Sequence, residues 1–323
     1  SGIGFAVHPR AMHDVQGRTK PVQYLEKSNE TATMRLRGWE KLDVDKKSQL
    51  NAVMVCGAGH SGSTLLGLIL DGQPDAFYVG DGGKIRYLHD AKKPIHKRVC
   101  KICGEDCPVW SNFVWDRKAP LYRQVADHVG ASLIVDTTKD TDWIRARTSE
   151  LRNAGDQACL VLLIRDGRAV VNSRMRKYPE RAPETEIARW LSQIRAGIEL
   201  YESFDGPKVK VHYEALSRDP KAVMENLCST FGIAFDPAIL DFQKCRHHPL
   251  GGNSATQFVA AKEYATKNGK PFVSLSNRGK PFYESLDGCI KPDTRWKQEF
   301  ADSHAELFAR LAGSFNEQIS LSS

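Results

Sequence analysis

Apolar residues along this chain fall into short continuous runs separated by longer amphipathic stretches. Residues 51–56 (NAVMVC) and 159–164 (CLVLLI) are the clearest runs, with shorter ones at 132–135 and 209–213. Runs of this length predict strands covered on both faces. Helical periodicity predicts helices at 64–70, 120–129, 142–153, from Gly167 onward, 183–204, 220–231 and 303–311. In the 183–204 stretch Ile187, Trp190, Leu191, Ile194, Ile198 and Tyr201 share one face. Gly232 supplies a stop for the 220–231 helix. Strands alternating with helices predict an α/β fold, a single domain with a central parallel sheet flanked by helices. Residues 1–48 are polar and weakly periodic and read as an N-terminal arm, leaving 49–323 as the domain. Residues 73–118 and the stretch after Phe235 read as irregular, and a Cys-rich insertion occupies about 84–118.

Composition narrows this picture. No apolar run reaches the roughly 18 residues that a membrane span needs. The first residues, SGIGFAVHPRAMHDVQGR, lack the apolar core of a signal peptide. Lys plus Arg number 46 against 39 Asp plus Glu, a modest excess that suits an anionic ligand. No basic run is interleaved with aromatics, so nucleic acid is not an expected partner. Of eight cysteines only Cys100, Cys103 and Cys107 cluster, and the expected setting is reducing and cytoplasmic.

The chemistry starts at VCGAGHSGSTLLGLILDG, residues 55–72. Gly57, Gly62, Ser63 and Thr64 stand where G-x-x-x-x-G-K-[ST] requires, but Ser63 takes the place of the lysine. A strand, a Gly-rich turn and a helix N-terminus make an anion site from backbone N–H groups and the helix dipole. Without the lysine that neutralises β- and γ-phosphates, a nucleoside triphosphatase or kinase is disfavoured. LLIRDGRAVVNSR, residues 162–174, adds a second locus. Arg165 sits at the carboxyl end of a buried strand, where α/β sheets bind ligands, and Ser173 follows on the next helix. The planar Arg165 fork and the Ser173 hydroxyl fit a separate phosphate.

Two phosphate loci about a hundred residues apart fit a nucleotide phosphorylated at two positions. The pair resembles the 5′-phosphosulfate loop and 3′-phosphate motif of sulfotransferases that use 3′-phosphoadenosine 5′-phosphosulfate (PAPS). LDGQPD, VDTTKD, HYEAL, VSLS and IKPDTRW agree in order and type with bacterial sulfotransferases and the tyrosylprotein branch. The resemblance runs from about 51 to 300. It implies that His60, Ser61, Gly62, Ser63 and Thr64 hold the phosphosulfate, that Arg165 and Ser173 hold the 3′-phosphate, and that Tyr213, Ser274 and Lys291 complete the donor pocket. It also implies sulfuryl transfer to a hydroxyl or nitrogen, with 3′,5′-ADP as product and no metal required; a small-molecule acceptor, such as a specialised metabolite or sugar, is expected because no long acidic-peptide groove can be read. A tyrosylprotein-type acceptor is the alternative within the family, and a P-loop kinase or nucleotide-binding protein the alternative outside it.

By the same resemblance Asp81 matches a Glu and becomes the expected general base, with a turn residue before Gly82-Gly83 as its other reading. Lys139 matches a lysine that touches the transferred group. His60 departs from the family, which carries Arg or Lys there. Next to phosphosulfate its pKa is expected to rise, and Lys84 or Arg86 are the substitutes if it does not serve. HKRVCKICGEDCPVW leaves three possibilities for Cys100, Cys103 and Cys107, namely free or core-packed thiols, a disulfide, or zinc with His96 as fourth ligand. HHPLGGN, residues 247–253, is similar to a bacterial-family pocket loop. At least one of His247 and His248 reads as a satisfied loop histidine, and the active site is assigned no metal.

Overall fold

The computed structural model describes residues 49–268, 272–277, 279–286 and 289–321, and within these the side chains of 263–268 and 321 are left aside. The proposed arm, residues 1–48, lies outside the described residues.

Five parallel strands form one sheet in the order β2-β3-β1-β4-β5. They are β1 (Asn51–Gly57), β2 (Ala76–Gly80), β3 (Leu133–Asp136), β4 (Gln157–Ile164) and β5 (Lys208–His212). β1 pairs with β3 from Asn51 opposite Leu133 and with β4 from Asn51 opposite Gln157. Side chains alternate across the sheet, and β1 to β4 are buried on both faces. Ala52, Met54 and Cys56 join Leu160, Leu162 and Ile164 in one core. Val53 and Val55 join Val161 and Leu163 in the other. That two-sided burial is why these strands read as unbroken apolar runs.

The helices that position the site are α1 (Ser63–Asp71), α2 (Leu121–Val129), α3 (Thr141–Asn153), α4 (Gly167–Lys177), α5 (Pro183–Ser203), α6 (Pro220–Phe231), α7 (Ser254–Asn268) and α8 (Asp302–Phe308). The first core is closed by α2, α3, α4, α5 and α8, and the second by α1, α6 and α7. α6 opens with Pro220 after an Asp219 side chain that accepts from Ala222 N, and it ends at left-handed Gly232. After β1 the chain goes to the β2 edge, whereas after β4 it goes to β5. The crevice between the carboxyl ends of β1 and β4 is therefore the topological switch point where ligands bind in open α/β sheets.

Two stretches read as irregular carry structure. β2 is an edge strand inside 73–118, and α7 lies in the stretch expected to be loop-rich. Tyr213, placed by its sequence at the end of a strand, begins a short helix to Arg218. No described helix is long and apolar enough to cross a membrane.

Candidate active site

The phosphate-loop sequence becomes a turn from Gly57 to Gly62 leading into α1. Gly62 is left-handed (φ 96°), and no side chain caps the helix N-terminus. The first N–H groups of α1 thus remain available to an anion. A side chain at Gly62 is excluded twice over. Its φ is unfavourable, and a Cβ would stand 2.5 Å from Tyr213 Cδ2. Beneath the turn, Ser61 is 1% exposed and its Oγ has no hydrogen-bond partner. Arg174, buried on α4, braces the turn by donating to the Gly59 carbonyl (3.1 Å).

The second locus meets the first directly. Arg165 Nη1 donates to the His60 carbonyl (3.1 Å), and His60 Nδ1 shares a hydrogen bond with Ser173 Oγ (2.9 Å). The Arg165 guanidinium lies 4.2 Å from the centre of the Tyr213 ring, a cation–π contact. It is 7% exposed, its Nε is unpartnered, and it faces Asp293 Oδ2 at 3.4 Å. Burial pushes the Asp293 carboxyl up, but Arg295 and Arg165 overcome this and hold it at about 2. The charge of Arg165 is therefore already screened by one internal carboxylate.

Asp81 and Lys139 approach from the other side of the loop. Lys139 has a left-handed backbone (φ 55°), unusual for a residue with a side chain. Its Nζ donates to Ser63 Oγ (3.2 Å) and to the Thr137 carbonyl, and lies 3.5 Å from Asp81 Oδ1. The cation missing from the loop sequence is thus supplied at Ser63 by the end of β3. Asp81 Oδ2 is 3.1 Å from Lys84 Nζ and accepts from Gly252 N at 3.1 Å. Burial raises the Asp81 carboxyl, yet Lys139, Lys84 and the Gly252 N–H outweigh it and leave its pKa below the usual carboxylate value. The 247–253 loop reaches this place by pairing with the end of β2, Leu250 N donating to Val79 O and Asp81 N to Leu250 O. Its Asn253 N donates to Thr64 Oγ1 (2.8 Å).

These groups border one cleft of about 1130 Å³, part of it open to solvent. Of the residues singled out by sequence, His60, Gly62, Ser63, Thr64, Asp81, Lys139, Arg165, Ser173, Tyr213 and Lys291 line it. Ser61 lies under it. Ser274 is exposed on an irregular stretch whose Phe272 N donates to Ile102 O, and it does not reach the cleft lining. Burial first, then the charges of Arg174, Lys177, Arg165 and Lys139, push the His60 imidazole down to about 3. The free protein holds it neutral, so the expected rise requires the negative charge of a bound ligand. Lys84 is tied to Asp81, and Arg86 donates to the Gly83 carbonyl. Neither lines the cleft, whereas Lys177 does. Sequence reading passed over Lys177, although its spacing of four from Ser173 on α4 puts both on one helix face. It also passed over Asp293, which is brought in from the C-terminal third of the chain.

Cys100, Cys103 and Cys107 form no disulfide. His247 is the satisfied histidine, buried between Asp71 Oδ2 (2.5 Å) and the Phe242 carbonyl (2.6 Å). His96 is exposed on the turn Ile95–Arg98.

A family model described as the sulfotransferase family matches residues 52–237, more than half of the chain. No curated protein matches the sequence. Among solved structures, the sulfotransferase domain from the Synechococcus PCC 7002 olefin synthase is 18% identical, with a TM-score of 0.47 over 77% of this chain and 98% of that one. The sulfotransferase domain from the curacin biosynthetic pathway is 17% identical, with a TM-score of 0.46 over 76% and 100%. The mouse sulfotransferase SULT7A1, solved with PAP, is 11% identical, with a TM-score of 0.43 over 85% and 89%. These likenesses are too distant to carry an argument about individual residues.

Proposed function

Since the chain belongs to the sulfotransferase family, whose members transfer sulfuryl groups, we propose that it takes the group from PAPS and passes it to a hydroxyl or nitrogen of a small molecule. The observation that carries this reading is the junction of two anion loci in one cleft, Arg165 and Ser173 bonded to His60 of the loop. A donor with phosphates at both 5′ and 3′ positions would fill both. The acceptor atom attacks sulfur, the bond from sulfur to the bridging oxygen breaks, and 3′,5′-ADP departs. Asp81 takes the acceptor proton, and Lys139 offsets charge on the group in flight. His60 donates a hydrogen bond on the leaving side. Leu65, Phe242, Val259 and Leu286 give the cleft an apolar wall, which suits a small, partly apolar acceptor better than an acidic peptide.

The expected result is that 3′,5′-ADP binds at least tenfold more tightly than 5′-AMP, because each charge-assisted bond to the second phosphate contributes about 1.5–3 kcal/mol. Calorimetry with both ligands decides it, and equal affinities would sink the two-phosphate reading. ATP in the same titration tests the kinase alternative. Incubating the protein with donor and a metabolite extract, and searching for the mass gain of a sulfate, identifies the acceptor.

Turnover is also expected without Mg²⁺, since the cations facing the transferred group are side chains. Activity that disappears on chelation and returns with Mg²⁺ contradicts the mechanism.

A further inference from the structure

The cysteine-rich segment finds its fourth partner 141 residues away. Cys100, Cys103, Cys107 and His248 each offer one ligand atom, and these atoms all lie within 4.8 Å of one another. His248 Nδ1 is 3.3 Å from Cys103 Sγ and 3.4 Å from Cys107 Sγ. A tetrahedral zinc ion with Zn–S near 2.3 Å and Zn–N near 2.0–2.1 Å sets such edges at about 3.5–3.8 Å. The turn from Cys100 to Cys103 aims two N–H groups, from Ile102 and Cys103, at Cys100 Sγ (both 3.4 Å). Gly104 (φ 79°) closes the turn with its N–H on the Cys100 carbonyl.

We propose that Cys100, Cys103, Cys107 and His248 bind one structural Zn²⁺ ion. Four protein ligands complete a tetrahedron and leave no open position, as a structural rather than a catalytic ion requires. Binding converts the thiols to thiolates and releases their protons to solvent. The ion ties the insertion to the 247–253 loop at a point already held by Trp110 Nε1 donating to the His248 carbonyl (2.5 Å) and Lys101 N donating to the Pro249 carbonyl (2.9 Å). Four and five residues on, the same loop places Gly252 on Asp81 and Asn253 on Thr64. The metal thereby anchors a wall of the cleft without touching the reacting atoms. His248 replaces His96 as the fourth ligand because chain return, not spacing, brings it there.

Metal analysis of protein produced in zinc-supplemented medium tests this without any assay of transfer. About one zinc per chain is expected, held through gel filtration and released by thiol-reactive mercurials. Cobalt substitution of the apoprotein should give the visible bands of a tetrahedral site with three sulfurs and one nitrogen. Cys103→Ser and His248→Ala should lose the ion, His248→Cys should retain it, and His96→Ala should leave it unchanged. Folded wild-type protein with no stoichiometric metal and no cobalt bands overturns the proposal, whatever the variants do. So does full zinc content in Cys103→Ser, stoichiometric iron in place of zinc, or a disulfide among the three cysteines in protein denatured without reductant.

Discussion

Asp81→Asn is expected to lower kcat by about 10²-fold or more while leaving 3′,5′-ADP affinity nearly unchanged. Asparagine keeps the size of the side chain and can still accept from Gly252 N, the contact that holds the 247–253 loop. It cannot take a proton at neutral pH. Lys139 and Lys84 hold the carboxyl below its usual value, which makes it a weaker base in the free protein. Donor binding is expected to offset this. Lys139 Nζ already bridges Ser63 Oγ and Asp81 Oδ1. When sulfuryl oxygens arrive at the loop, its charge is shared with them, and the proton affinity of Asp81 rises. Lys139→Met should then cost turnover by a comparable factor, again with 3′,5′-ADP binding spared. Single-turnover kinetics with saturating donor provides the measurement. If Asp81→Asn keeps near wild-type rates there, Asp81 is only a loop anchor, and His60 or another carboxylate is the base.

What the sequence disclosed follows from how local each feature is. β1 and β4 are buried on both faces, so their apolar runs stand out unaided. β2 is also buried, but it has five residues, AFYVG, set between QPD and DGG. Turn residues on both sides outweigh so short a run. α7 carries SATQFVAAKEYATKN, whose polar and apolar positions alternate without a sustained stripe, and it gains its place by packing Val259 and Ala260 into the second core. The loop and the Arg165–Ser173 motif were legible because each is one continuous segment at the end of a strand. The 247–253 loop was visible through the resemblance, but the partners of Asp293, Gly252 and His248 were not legible, since each acts on a residue more than a hundred positions away. Lys139 was visible only through the family resemblance. Its chemical reason, a cation delivered to Ser63 in place of the loop lysine, needed the parallel pairing of β3 beside β1.

Arg165→Met is expected to weaken 3′,5′-ADP binding by about 10–10³-fold and to change 5′-AMP binding far less. The size follows from two charge-assisted hydrogen bonds to one phosphate, reduced by the cost of drawing Arg165 away from Asp293. The fold should tolerate the change. Asp293 keeps a two-point contact with Arg295 (2.7 and 2.8 Å), so no carboxylate is left unpaired. Methionine also retains an apolar stem over the Tyr213 ring. What the variant does lose besides charge are the bonds to the His60 and Asp293 carbonyls, and the first is where the prediction can fail. If Arg165 serves chiefly to brace the loop through His60, removing it will loosen the turn itself. Affinities for 3′,5′-ADP and 5′-AMP will then fall together. A selective loss instead marks Arg165 as the group that reads the second phosphate, and Arg165→Lys, which keeps the charge without the fork, should recover only part of it.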